Sequence, residues 1–212
     1  MNENKIYCGD CRELASKYIE PGSVDLIFTD PPYPKKYLYL YGWLAEEAAR
    51  VLKPGGFLLA YVGVYWKKQV MARLNSQLYY FWDFVIENAG NSPIMWQRKI
   101  ISRHKSILAY CKDENGLPRC NVLSFWRGGG EDKRFHRWGQ DESSARYYID
   151  CFSKRGDLVV DYMLGGGTTG MICKKLNRKF IGFEIEKETF DIAKDRIEKA
   201  NTLLEYDQIK LL

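Results

Sequence analysis

The chain is short of the residues that build metal sites and disulfide frameworks. It has two histidines, His104 and His136, and no third ligand clustered with either. Of its six cysteines only Cys8 and Cys11 form a C-x-x-C, while Cys111, Cys120, Cys151 and Cys173 are scattered. A zinc ribbon needs a second pair at short spacing, so no structural metal is expected. No apolar run approaches the ~20 residues that span a bilayer. The polar start Met1-Asn2-Glu3-Asn4 lacks the profile of a signal peptide. A cytoplasmic, non-membrane protein is the resulting expectation. Internal repeats and low-complexity segments are absent, as is a strong charge bias. The 32 basic and 27 acidic residues give a net charge of +5, which permits a nucleic-acid partner without demanding one.

What is present reads as a globular chain. Hydrophobic residues make up 46% and charged residues 28% of 212, enough for one domain over residues 1–212 with a real core. Strands are predicted at Lys5–Cys8, Val24–Thr29, Phe57–Val62, Tyr80–Ile86, Ile107–Cys111, Leu158–Asp161 and Phe180–Phe183. Helices are predicted at Cys11–Tyr18, Trp43–Leu52, Trp66–Leu78, Ser143–Ser153, Thr168–Leu176 and Lys187–Leu204, with Lys53-Pro54-Gly55-Gly56 as a helix stop. This alternation indicates an α/β fold: a doubly wound, mostly parallel sheet of seven strands with helices on both faces. The one substantial irregular stretch is about 113–140, containing Gly128-Gly129-Gly130.

Two segments carry chemistry. The first is Asp30-Pro31-Pro32-Tyr33, which closes the apolar run Ser23 to Thr29. The prolines fix φ and remove two N–H donors, so the turn presents carbonyl acceptors. Asp30 can accept from an amino group while Tyr33 offers a stacking face. Such a set suits a planar, amino-bearing ring; taken alone it could equally be a proline-rich strand exit. The second segment runs from Asp157 to Gly170: a short apolar strand, an acid at its end (Asp161), the glycine-rich turn Gly165-Gly166-Gly167-Thr168-Thr169, then a helix. Glycines let backbone approach a ligand, and a helix N-terminus supplies unpaired N–H groups. About twenty residues on, Ile181-Gly182-Phe183-Glu184 ends a further strand in an acid, the position that takes ribose hydroxyls in nucleotide-binding sheets.

Together these segments resemble the S-adenosylmethionine-dependent amino-methyltransferases of DNA (adenine-N6 or cytosine-N4), in the permuted subgroup where the catalytic motif precedes the glycine-rich one. The resemblance covers most of the chain. Thr29 to Tyr33 match the catalytic tetrapeptide and its approach, Leu52 to Phe57 a helix-to-strand turn, Asp161 to Thr169 the cofactor loop, and Ile181 to Glu184 the ribose-binding strand end. Tyr7-Cys8-Gly9-Asp10 matches the strand end whose acid reaches the cofactor adenine. The chain departs from the family at Tyr162-Met163, where Pro-Phe is usual, and at Gln140-Asp141, where Lys-Pro is frequent.

The resemblance implies a Rossmann-like methyltransferase sheet, S-adenosylmethionine as cofactor and DNA as partner, with base flipping from a duplex and a plausible homodimer. It implies that Asp30, Pro31, Pro32 and Tyr33 are catalytic. It implies further that Asp10, Asp161, Gly165, Gly167, Thr168, Thr169 and Glu184 bind the cofactor, with 138–140 closing one end of that pocket. Adenine N6 is the first choice of acceptor because Asp, not Ser, opens the tetrapeptide; cytosine N4 stays open. A protein-glutamine methyltransferase would place the glycine-rich motif first. A methyltransferase-like subunit that binds nucleic acid without catalysis is the other reading kept.

Basic residues mix with aromatics as nucleic-acid contacts require. The candidates are Lys35, Lys36 and Tyr37 after the tetrapeptide, Arg98, Lys99 and Arg103 beside Trp96, and Lys133, Arg134 and Arg137 beside Phe135 and Trp138. Each cluster could instead be a solvated surface, and Lys174, Lys175, Arg178 and Lys179 are assigned to that plain role. At about 113–140 the variable, target-reading insertion is short.

Overall fold

The structure, a computed structural model, describes residues 4–87, 94–127 and 142–200. Sixteen regular elements lie along them. The chain runs β1 (Lys5–Cys8), α1 (Cys11–Tyr18), β2 (Val24–Thr29), α2 (Leu38–Val51), β3 (Leu52–Val62), α3 (Lys67–Leu74) and β4 (Tyr79–Glu87). It continues with β5 (Ile94–Met95), β6 (Ile100–Ile101), β7 (His104–Cys111), β8 (Phe125–Arg127) and α4 (Glu142–Phe152). The last four are β9 (Leu158–Asp161), α5 (Thr168–Lys175), β10 (Lys179–Glu184) and α6 (Lys187–Lys199).

Eight strands form one sheet in the order β1-β10-β9-β2-β3-β7-β4-β8, and β5 and β6 make a separate hairpin. The first five strands of that order pair in parallel, β7 is antiparallel to both neighbours, and β8 is parallel to β4. The expected seven strands are all present. The eighth, β8, comes from the irregular stretch; three residues are too few to show a strand period in sequence.

Alternation within strands builds two cores. Leu58, Ala60 and Val62 of β3 face one way, into a core shared with Ala15 of α1, Leu44 and Ala48 of α2 and Val70 of α3. Phe57, Leu59 and Tyr61 face the other, against Tyr148 and Phe152 of α4, Ile172 of α5 and Ile197 of α6. The sheet is therefore sandwiched by three helices on each face, as a strand period of two and apolar helix stripes require.

The boundary at residues 52–57 differs from expectation. Helix α2 starts at Leu38, ends at Val51, and passes straight into β3. Leu52 already pairs with Val24, and the register then jumps so that Leu26 pairs with Phe57. The Pro-Gly-Gly segment is thus an irregularity inside a strand and not a separating turn. Asp25 holds this end of the sheet: it accepts from Lys53 Nζ at 2.7 and 2.8 Å and from the Leu158 N–H at 2.9 Å, joining β2, β3 and β9.

Candidate active site

In the parallel half of the sheet four of the five strands, all but β3, carry at or just past their carboxyl end an acid that the sequence singled out. Register places Cys8 beside Glu184, Gly182 beside Asp161, and Ile27 beside Val160. Asp10, Glu184, Asp161 and Asp30 therefore stand along one edge, in that spatial order. The chain leaves β9 toward β10 on one side and leaves β2 toward β3 on the other. That divergence makes a crevice of the kind where open α/β sheets bind ligands.

Hydrogen bonds tie this edge together. Thr29, just before Asp30, donates from Oγ1 to Asp161 Oδ1 at 2.8 Å. Asp161 also accepts from Thr169 Oγ1 at 2.7 Å and from the Met163 N–H at 3.1 Å. Glu184 accepts from the Gly165 N–H at 2.8 Å and the Glu186 N–H at 2.9 Å, one on each oxygen, so each keeps a second lone pair. The Gly9 N–H donates to the Glu184 carbonyl at 2.8 Å. The two distant motifs are thereby brought together on one wall. Burial pushes the Asp161 carboxyl up to about 6, against the opposing pull of its three donors, and the nearby charge of Asp30 adds to the rise.

The glycine-rich turn is shaped for close approach. Gly167 has φ 81° and caps α5 without a side chain; a Cβ there would sit 3.1 Å from the backbone of Ala193. Arg196, which nothing in the sequence marked, clamps the turn from below. It donates to the Gly166 carbonyl at 2.9 Å and Thr168 Oγ1 at 3.0 Å, and pairs with Glu142 at 2.6 Å. The Tyr162 departure has a structural cause. Its ring is fully buried, stacks on Phe183 at 5.7 Å, and its hydroxyl donates to Glu47 Oε1 at 3.1 Å, so it points into the core and away from the turn.

Asp10 lies beside Glu184, but its carboxylate has other work. It caps α1 by accepting from the Arg12 N–H at 2.9 Å and is forked by the Arg12 guanidinium, which holds it below the usual carboxylate range. Cys11 is buried, and burial pushes its thiol up to about 12, so it packs as a small apolar residue.

Around Asp30 the structure adds residues invisible to motif reading. Gly63, just past β3, is the surface on which Tyr33 rests; a Cβ there would meet the Tyr33 Cβ at 2.9 Å. Burial, and then the charge of Asp30, pushes the Tyr33 phenol well above its usual range. The Tyr41 phenol is raised by the same two causes and donates to the Tyr61 carbonyl at 3.2 Å. Lys105 sits over the Tyr61 ring at 4.7 Å.

Lys35, Lys36 and Tyr37 form a single 3₁₀ turn one residue, Pro34, beyond the tetrapeptide, with both lysines exposed. Lys36 stacks on Tyr37 at 4.8 Å and Lys35 on Trp66 at 5.5 Å. Arg98 and Lys99 occupy the loop of the β5–β6 hairpin, and Arg103 is exposed just after it. Lys133, Arg134, Arg137 and the segment 138–140 lie outside the described residues. Arg178 corrects the plain surface assignment of its cluster. It is buried, donating to Asp150 Oδ1 at 2.6 Å, Ser153 Oγ at 3.1 Å and the Ser153 carbonyl at 2.7 Å. Among the described residues no helix is long and apolar enough to cross a membrane.

The sheet order and its helices define a Rossmann-like α/β fold, and comparison with known proteins adds to this. Residues 117–195 match the family described as DNA methylase. The chain is 26% identical to the type II methyltransferase M.HpaI of Haemophilus parainfluenzae, over 92% of this chain and 74% of that one. In fold it is similar to the PvuII DNA methyltransferase (cytosine-N4-specific), at TM-score 0.78 and 21% identity, covering 91% of this chain and 85% of that one. It is also similar to M1.HpyAVI in its complex with SAM, at TM-score 0.72 and 23% identity, covering 91% and 98%. The chain is thus similar to type II DNA methyltransferases along most of its length, and its residues 117–195 match the DNA methylase model.

Proposed function

We propose that this protein transfers a methyl group from S-adenosylmethionine to the exocyclic amino group of a base in DNA, with adenine N6 the first choice. The observation that supports this most is the hydrogen-bonded wall from Asp30 through Thr29 and Asp161 to Thr169. It supports reading Asp30 as an amine-binding carboxylate beside a turn suited to the methionine end of the cofactor. The cofactor supplies an electrophilic methyl on a sulfonium. Glu184, with a free lone pair on each oxygen, suits the ribose hydroxyls. The Gly165–Thr169 turn and the start of α5 suit the methionine end, with Asp161 as countercharge to its ammonium. Asp10 belongs at the adenine side of the pocket, its carboxylate shared with Arg12.

On the acceptor side, Asp30 and the Pro31 carbonyl take the two amino hydrogens and turn the nitrogen lone pair toward the methyl. Pro32 holds the turn, and Tyr33 stacks on a base that has left the duplex. The nitrogen forms its bond to carbon as the carbon–sulfur bond breaks, the electron pair going to sulfur. The nitrogen then releases its extra proton toward Asp30. The contribution is positional and electrostatic. Lys35, Lys36, Arg98, Lys99 and Arg103 neutralise phosphates, as do Lys133, Arg134 and Arg137.

The test is transfer of labelled methyl to unmethylated duplex DNA, followed by mass spectrometry of the nucleosides. The native chain is expected to yield N6-methyladenine, and Asp30→Asn none, with S-adenosylmethionine binding retained by calorimetry. Finding N4-methylcytosine would favour the second reading, which the fold of the cytosine-N4-specific PvuII enzyme keeps open. No transfer to any DNA would leave only the non-catalytic reading.

A further inference from the structure

The β5–β6 hairpin presents an aromatic to solvent at a place where packing does not call for one. Ile94 pairs with Ile101 and Met95 with Ile100, so Trp96, Gln97, Arg98 and Lys99 form the four-residue loop. Lys99 closes it in the left-handed region, at φ 54°, with its N–H on the Trp96 carbonyl at 3.3 Å. Trp96 is 79% exposed, and Ile100 and Ile101 beside it are 55% and 61% exposed. From Ile94 to Lys105 the chain carries Arg98, Lys99, Arg103 and Lys105 and no acid. A lone exposed indole is unremarkable; one at a hairpin tip in a cationic segment without an acid suits an anionic partner with flat apolar surfaces.

Position supports the same partner. Glu87 at the end of β4 pairs with His104 at the start of β7, and Ser106 pairs with Val62 of β3. The hairpin therefore leaves the sheet at the edge that bears Asp30. It is braced toward that edge: Arg98 lies on the Tyr65 ring at 4.6 Å, and the Tyr65 hydroxyl donates to Gln97 Oε1 at 2.6 Å. Tyr65 is two residues beyond Gly63, on which Tyr33 rests, and its neighbour Trp66 carries Lys35. The tip and the tetrapeptide turn thus share one aromatic support.

We propose that Trp96 is a wedge for duplex DNA: it enters the base stack at the space left by the extruded nucleotide, while Arg98 and Lys99 hold the flanking phosphates. This rests on the DNA reading above and adds a residue and a task to it. Filling the gap offsets part of the unstacking cost that extrusion imposes.

Binding of the full chain to fluorescein-labelled duplexes, intact or with one abasic site, tests this without requiring catalysis. The native protein is expected to bind the abasic duplex about tenfold more tightly, the worth of one base–aromatic stack. Trp96→Ala should lose that preference with intact-duplex affinity within about twofold. Trp96→Phe should keep most of it, and Arg98→Ala with Lys99→Ala should weaken both duplexes alike and lower the salt dependence. A preference unchanged in Trp96→Ala, or absent in the native chain, overturns the proposal. So does a change in the sedimentation of the DNA-free protein on Trp96→Ala, which would mean that the tip faces a second copy. Methyl transfer by the native chain, measured in parallel, separates the two readings. Abasic preference without transfer would sink the activity and leave the wedge; transfer without preference would do the reverse.

Discussion

Replacing Asp161 with Asn should make the ligand-free protein more stable at neutral pH while costing it the cofactor. The Asp161 carboxyl is raised from 3.8 to about 6, chiefly by burial. Its folded-state value therefore lies above its unfolded one. The stability tied to this group is fully present below about pH 3.8 and is lost as pH rises through about 6. A rise of about two pH units corresponds to about 3 kcal/mol, which the native protein forgoes at pH 7.5 to keep a carboxylate in the wall. An amide of the same shape carries no such cost. Its oxygen can still accept from Thr29 and the Met163 N–H, and its NH₂ can donate to Thr169 Oγ1, whose proton is free to rotate. The gap in stability between Asp161→Asn and native protein should therefore grow from near zero at pH 4 to about 3 kcal/mol at pH 7.5. At about 2–4 °C per kcal/mol for a chain of this size, the variant should melt roughly 6–12 °C higher there. S-adenosylmethionine at a hundred times Kd should stabilise the native protein by about 2.7 kcal/mol, and so raise its melting point, while barely moving that of the variant. Calorimetry across pH 4 to 8, with and without cofactor, measures all of this. Parallel stability curves for the two proteins, or a variant that melts lower at pH 7.5, would refute the reasoning.

Gly63→Ala should cut methyl transfer by about tenfold or more while the melting point stays within a few degrees, because the added methyl displaces Tyr33 from the stacking position. Arg178→Ala should destabilise the fold by about 2 kcal/mol in urea titration, since it removes the buried hydrogen bonds to Ser153, while half-exposed Asp150 keeps water and Arg119. Unchanged activity in the first or unchanged stability in the second would show that these contacts carry no weight.

The strand-end acids were legible because each closes a short apolar run, with prolines directly after Asp30, a glycine-rich turn shortly after Asp161, and about twenty residues from that turn to Glu184. That pattern located Asp30, Asp161 and Glu184, and the alternation of elements implied the sheet around them. Gly63, Arg196 and the Tyr41–Tyr61 contact were not legible, because each works through a neighbour far off in sequence and no periodicity reports such pairs. Arg178 was misread for the same reason: in a run of cations, only the fold reveals which one turns inward. The Pro-Gly-Gly segment misled differently. Its local preference for a turn is real, but pairing of Leu52 with Val24 absorbs the turn into β3 as a bulge.

Strand β1 can pair only with β10, and Lys5 waits for Ile181. Ribosomes add ~5–20 residues per second, so β1 spends on the order of ten seconds without a neighbour. Meanwhile β2, β3, β4 and β7 can already assemble around the tetrapeptide. The glycine-rich turn and Glu184 join the crevice only after these strands are made. A nascent chain halted before β10 would carry the tetrapeptide turn and the cationic hairpin but not Glu184, so under the proposed function the closing of β1 onto β10 marks when both reactants can first be held.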